Sequence, residues 1–164
     1  MMKRIILHWT AGAYTPNATD LEHYHYLITG KGQIVKGKYS VEDNEYCGDG
    51  VYAAHCGGGN TGSIGIAVCA MAGFTSRQKV GKYPITKVQC ERLFKLIAEL
   101  AKKYTILIAA NTVMTHYEFG KAYPKTSSYG KIDIIYLPPY PQITQCNIGE
   151  FIRNKAKWYY KNLK

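Results

Sequence analysis

The sequence predicts a mixed α/β (α+β) fold in a single domain spanning residues 1–164. Short, branched apolar runs of strand character stand at 3–9 and 63–71. One longer stretch, 84–104, repeats its apolar residues at helical spacing. The two kinds of segment intermix along the chain, with no linker, internal repeat or low-complexity stretch between them. With 164 residues and 46% hydrophobic content, the chain can bury an ordinary core without staples.

Each element has its own reason. Lys3 to Trp9 reads as a buried strand ending in His8-Trp9-Thr10, followed by a turn at Ala11-Gly12. "TPNATDLEH" carries cap residues and predicts a short helix. Tyr24 to Thr29 and Gln33 to Lys38 are extended runs joined by Gly30-Lys31-Gly32, a hairpin signal. Ser63 to Met71, rich in small and branched residues, predicts a central strand. "PITKVQCERLFKLIAELAKKY" is the clearest helix: Thr86 and Gln89 form a capping box, and Val88, Leu93, Leu96, Ile97 and Leu100 share a face. Ile106 to Ala110 reads either as a further short strand or as a helix-to-loop transition. His116 then ends an apolar run, and a long polar, flexible loop leads on to Lys131 and Asp133. Asn147 is the expected cap of a last helix, Ile148 to Asn162, with Phe151, Ile152, Ala156 and Tyr159 on one face.

Composition excludes several classes. The weakly polar run from Ile64 to Phe74 is too short to span a membrane. Only Ile5-Ile6-Leu7 separates Lys3-Arg4 from His8, which is no signal-peptide core, so the expectation is a chain without a secretion signal. Five cysteines, an odd number with no Cys-x-x-Cys pair, argue against a disulfide framework and a zinc ribbon, and fit a reducing cytosol. Cys69 and Cys90 lie in apolar patterns and read as buried thiols. A net charge of +10 implies an anionic partner: nucleic acid, phospholipid or an anionic wall polymer. Arg153, Lys155, Lys157, Lys161 and Lys164 concentrate at the end of the chain without an intervening acid. A nucleic-acid reading would need aromatics on a basic sheet face or a recognised module, and neither is present.

The histidines are the remaining signal. Catalytic zinc takes three protein ligands, drawn from imidazole, carboxylate and thiolate, and keeps an open position for water. His8 at a strand end, His116 after an apolar run and Asp133 beyond a loop are suitable types from distant positions. Spacing alone selects none of them, and there is no His-Glu-x-x-His. Taken singly, each histidine reads more simply as a hydrogen-bonded structural residue. His25 alternates with Tyr24 on a strand, so the two face opposite ways. His23 reads as a loop or helix-end residue.

Ordered blocks add to this. "IILHWTAG", "YHYLITGKGQIVKGK", "AAHCGGGNTGSIGIAV", "MTHYEFG" and "GKIDI" resemble, in the same order, the zinc-dependent N-acetylmuramoyl-L-alanine amidases. That family includes T7-type lysozyme and the peptidoglycan recognition proteins. The resemblance implies a central mixed β-sheet flanked by helices, and a Zn2+ ion held by His8, His116 and Asp133. It implies that Lys131 stabilises the transition state and that Tyr24 serves as the T7-type catalytic tyrosine. His55, Asn60 and Tyr117 would meet substrate; for His55 a plain loop role stands beside that one, and for Tyr117 simple packing. Two positions depart from the family. Asp133 is followed by Ile134-Ile135 rather than Pro-Gly, and Ala67 stands where some members carry a catalytic glutamate. The implied activity is hydrolysis of the N-acetylmuramoyl–L-alanine bond in peptidoglycan or a muropeptide. The expected setting is a monomeric phage or prophage endolysin, kept in the host cytoplasm until lysis, with no nucleic-acid or integral-membrane partner. Muropeptide recycling is the alternative setting. A catalytically inactive peptidoglycan-binding or regulatory protein on the same fold is the alternative function.

Overall fold

The computed structural model describes residues 1–164. In chain order the elements are β1 (Arg4–Trp9), α1 (Ala18–His23), β2 (Tyr26–Ile28), β3 (Ile34–Lys36), β4 (Ser63–Val68), α2 (Lys87–Lys103), β5 (Val113–Thr115), α3 (His116–Ala122) and α4 (Ile148–Lys161). Short 3-10 turns lie at Val41–Glu45 and Gln145–Asn147. The five strands form one mixed sheet in the order β3-β2-β4-β1-β5. β2, β4, β1 and β5 run parallel, and only the edge strand β3 is antiparallel.

A parallel sheet is covered on both faces, so its strands are apolar throughout rather than alternating. Every residue of β4 is buried. One face, with Ile5, Leu7, Ile64, Ile66 and Val113, packs on α2 and α4 in the main core. On the other face the contacts are smaller: Ile6 and Met114 meet Cys56 and Phe119, while Leu27, Ala67 and Cys69 meet Leu21 and Tyr24. This thinner side, under α1, α3 and the irregular 37–62 segment, is where the histidines gather. No helix is long and apolar enough to cross a membrane.

Several expectations meet the structure with adjustments. The hairpin forms, with Gly32 at φ 81 in its turn, a conformation open to glycine at little cost. The capping box of Thr86 and Gln89 is present, but Val88 on that helix is exposed; it lies in the first turn, beside Gly32, clear of the core. Ile106–Ala110 is neither strand nor helix: Thr105 adopts φ 54, and Ile106 and Ile108 reach the core from irregular backbone. The strand comes later, at β5. Asn147 makes no side-chain cap; its amide instead donates to the Thr144 hydroxyl, and α4 is entered through the Gln145–Asn147 turn. Cys69 and Cys90 are buried free thiols, and burial pushes both up to about 12, which leaves them inert.

Candidate metal centre

In open parallel sheets, binding sites form beyond the carboxyl ends of the strands, where the strand order reverses. Here the order reverses at β1, which lies between β4 and β5. His8 is the penultimate residue of β1, and His116 follows the last residue of β5. β5 hands directly into α3: the Thr115 hydroxyl accepts from the Glu118 N–H, and the Glu118 carboxylate accepts from the Thr115 N–H. That capping box fixes His116 as the first helical residue. Asp133 arrives on a run of tight turns rather than a loose loop. Buried Ser128 anchors that run, and an Ile132–Ile135 turn carries Asp133, with Ile134 at φ 62. A left-handed β-branched residue is strained backbone, here right after the carboxylate.

These three side chains meet. Asp133 Oδ2 lies 3.1 Å from His8 Nδ1 and 3.4 Å from His116 Nδ1, and all three atoms fall within 4.8 Å of one another. Tetrahedral zinc with ligands at about 2.0–2.1 Å sets their mutual distances near 3.3–3.4 Å. His116 Nδ1 is the only buried side-chain polar atom without a hydrogen-bond partner; its geometry toward Asp133 is close but not that of a hydrogen bond. An orphaned buried imidazole nitrogen aimed at a carboxylate and a second imidazole fits a cation, and two imidazoles with one carboxylate suit zinc. Burial brings His8 down to about 4, so it is a neutral imidazole at neutral pH.

A cleft of about 660 Å³ opens over this cluster. Its walls include Tyr24, Lys131, Trp9, Phe74, His55 and Asn60. The Tyr24 ring lies 5.1 Å from the His8 ring, centroid to centroid. Burial, and then the charge of Asp133, raises its phenol well above the ordinary value, so Tyr24 remains a hydroxyl donor. Lys131 is exposed at the rim. His55 is buried behind His8, with its Nδ1 3.0 Å from His8 Nε2. The Asn60 carboxamide accepts from the backbone N–H of His55 and Cys56, so it holds the loop as well as bordering the cleft. Tyr117 does not line the cleft; Lys121 lies over its ring. His23, exposed at the end of α1, bonds the Ala54 carbonyl and also lines the wall. Ala67 is fully buried beside His8, in register on β4, and supplies no acid. Sequence reading missed Ser128, whose hydroxyl lies 2.9 Å from His116 Nε2; it sits in a loop without periodicity, where no local pattern marks it.

Residues 1–131 match the family model described as N-acetylmuramoyl-L-alanine amidase. No sequence among the curated proteins matches this chain. Among solved structures, the Staphylococcus aureus hydrolase AmiA in complex with its ligand is similar at a TM-score of 0.59 and 15% identity, over 98% of this chain and 73% of that one. A mutant of PlyL is similar at 0.53 and 21% identity, over 95% and 85%. The amidase AmiD from E. coli, bound to anhydro-N-acetylmuramic acid-L-Ala-D-gamma-Glu-L-Lys, is similar at 0.51 and 19% identity, over 80% and 52%. At such identities these structures speak for the fold. The family match covers β1, the hairpin, β4, His116 and Lys131, and stops two residues short of Asp133, which the fold itself carries to both histidines. The chain belongs to the N-acetylmuramoyl-L-alanine amidase family.

Proposed function

We propose that this protein is a zinc-dependent amidase that hydrolyses the bond between N-acetylmuramic acid and L-alanine in peptidoglycan. The observation that carries this reading is the convergence of His8 Nδ1, His116 Nδ1 and Asp133 Oδ2 beneath an open cleft. His8, His116 and Asp133 hold the zinc. Bound there, zinc supplies a Lewis acid for the amide carbonyl and lowers the pKa of a water toward neutrality. The chain does the rest. Attack on an amide concentrates negative charge on the former carbonyl oxygen, and fixed donors aimed at that oxygen lower the barrier. Tyr24, kept protonated by its surroundings, is one such donor. The Lys131 ammonium, free at the rim, is the other. Trp9 and Phe74, whose ring centroids are 5.0 Å apart, border the cleft as an apolar wall for the non-reacting part of the substrate. With every ligand of the set present, the inactive, binding-only alternative has no missing residue to support it. The setting we infer is a phage or prophage endolysin that reaches the wall at lysis.

Mass analysis of purified peptidoglycan after digestion tests bond and metal together. Free L-alanine amino termini with intact glycan strands are expected, and a chelator should abolish them. Cleavage elsewhere in the stem peptide, or full activity in chelator, would contradict the reading.

A further inference from the structure

Behind the metal cluster run two short hydrogen-bond chains, and both end on backbone carbonyls of one segment, His55–Ser63. A carbonyl only accepts, and that fixes the direction of every bond before it. The Ser63 carbonyl lies 3.2 Å from His55 Nε2, so that nitrogen carries the proton. His55 is buried and touches no carboxylate that would hold a second proton, so its ring carries one proton, on Nε2, and its Nδ1 is a bare acceptor. His8 Nε2, 3.0 Å away, therefore donates to it, which leaves the lone pair of His8 on Nδ1. On the other side, the Gly57 carbonyl accepts from the Ser128 hydroxyl at 2.7 Å. Ser128 Oγ is then the acceptor for His116 Nε2, 2.9 Å away, and the lone pair of His116 falls on Nδ1. These are the two nitrogens that face Asp133.

We propose that the His55–Ser63 segment is the positioning element of the metal centre, fixing both histidine ligands in the Nε2–H tautomer through His55 and Ser128. This rests on the reading of His8, His116 and Asp133 as metal ligands and extends it to residues that do not touch the metal. The segment is built for the task. Asn60 Oδ1 accepts from the N–H groups of His55 and Cys56, fixing the backbone that carries the His55 ring and runs on into Gly57. Asn44 bonds the Asn60 and Ala53 carbonyls from below. Gly65, on β4, leaves the space the His55 ring fills: a Cβ there would lie 2.6 Å from the ring. Both chains are buried, since His55 is 6% exposed and Ser128 is fully covered, so water does not compete for these bonds. A second imidazole in place of a carboxylate partner keeps the site's charge at that of Asp133 alone.

The test combines a spectroscopic signature with zinc affinity, measured on the full chain by competition with a chelator. In the 15N-labelled, zinc-loaded protein, a coupling across the hydrogen bond between His8 Nε2 and His55 Nδ1, with the proton on His8, is expected. His55→Leu and Ser128→Ala should each weaken zinc binding by about 10–100-fold. His55→Asn, which returns an acceptor near the position of Nδ1, should recover much of the loss. Asn60→Ala should weaken zinc binding and Asn60→Asp, which keeps the acceptor, should not. Ser128→Ala removes one oxygen, so it keeps the test decisive if His55→Leu fails to fold. A proton found on His55 Nδ1, or variants that bind zinc as tightly as the parent, would overturn the proposal while leaving the metal reading in place. A parent that takes up no zinc would overturn both.

Discussion

Tyr24 and Lys131 both line the cleft over the metal cluster. On the proposed reading both act on charge that develops during the reaction, so removing either should slow turnover without releasing zinc. Tyr24→Phe and Lys131→Ala are each expected to lose roughly two to three orders of magnitude in turnover, with zinc content and thermal melting unchanged; a fully active Tyr24→Phe would remove the tyrosine from the mechanism. His8 makes a second expectation at this scale. Its folded pKa of about 4 lies below the ordinary value near 6.5, so below pH 6.5 the unfolded chain takes up a proton that the folded one refuses. Stability of the metal-free protein is therefore full above pH 6.5 and falls as the pH drops to about 4, by about 3 kcal/mol from His8 alone. His25 and His55, both lowered chiefly by burial, act in the same direction. Urea unfolding between pH 8 and pH 4 measures this; a flat profile would mean that the buried rings titrate normally.

Among the elements, α3 holds a ligand, and α4 holds α3. Arg153 on α4 donates to both oxygens of Glu118, at 3.0 Å each, and to the Val113 carbonyl of β5. Gly149 lets the helices meet there, since a Cβ would lie 2.1 Å from the Glu118 carboxylate. With Arg153 and Glu118 side chains 11% and 26% exposed, Arg153→Ala should destabilise the fold by about 2 kcal/mol, read as a shift in the urea midpoint; no shift would mean the pair is solvent-screened. Much of this scale was legible in the sequence. The strands carrying His8 and the Ser-Ile-Gly-Ile run, the hairpin and α2 all announce themselves, because long apolar runs, glycine turns and a capping box are local signals. The β5–α3 junction was hidden. Three residues are too few to show alternation, and the more apolar Ile106–Ala110 drew the strand assignment away from them. Thr115-His116-Tyr117-Glu118 was nevertheless a readable capping box. For the site, residue types and family order pointed to the ligands. Ser128 and the anchoring role of His55 depend on loop packing between distant segments, which no local pattern encodes.

At the level of the whole molecule, the charge of +10 is distributed differently from what the C-terminal run implies. Arg153 is committed to Glu118, and Lys155 lies over the rings of Phe151 and Tyr140. Lys157, Lys161 and Lys164 remain exposed and free to meet an anionic polymer. Attraction between exposed charges is screened over about 8 Å at physiological salt. Activity on intact walls should therefore fall with added salt, while cleavage of a small soluble muropeptide changes little. Replacing these three lysines by glutamine should flatten the difference; equal salt responses on both substrates would make the helix face a solubilising surface only. The account as a whole stands on the metal centre, and zinc-edge X-ray absorption of the purified protein tests it most directly. One zinc per chain is predicted, with nitrogen and oxygen neighbours at about 2.0–2.1 Å, two of them imidazoles, and occupancy lost in Asp133→Ala. A sulfur neighbour near 2.3 Å, or full occupancy in Asp133→Ala, would contradict it.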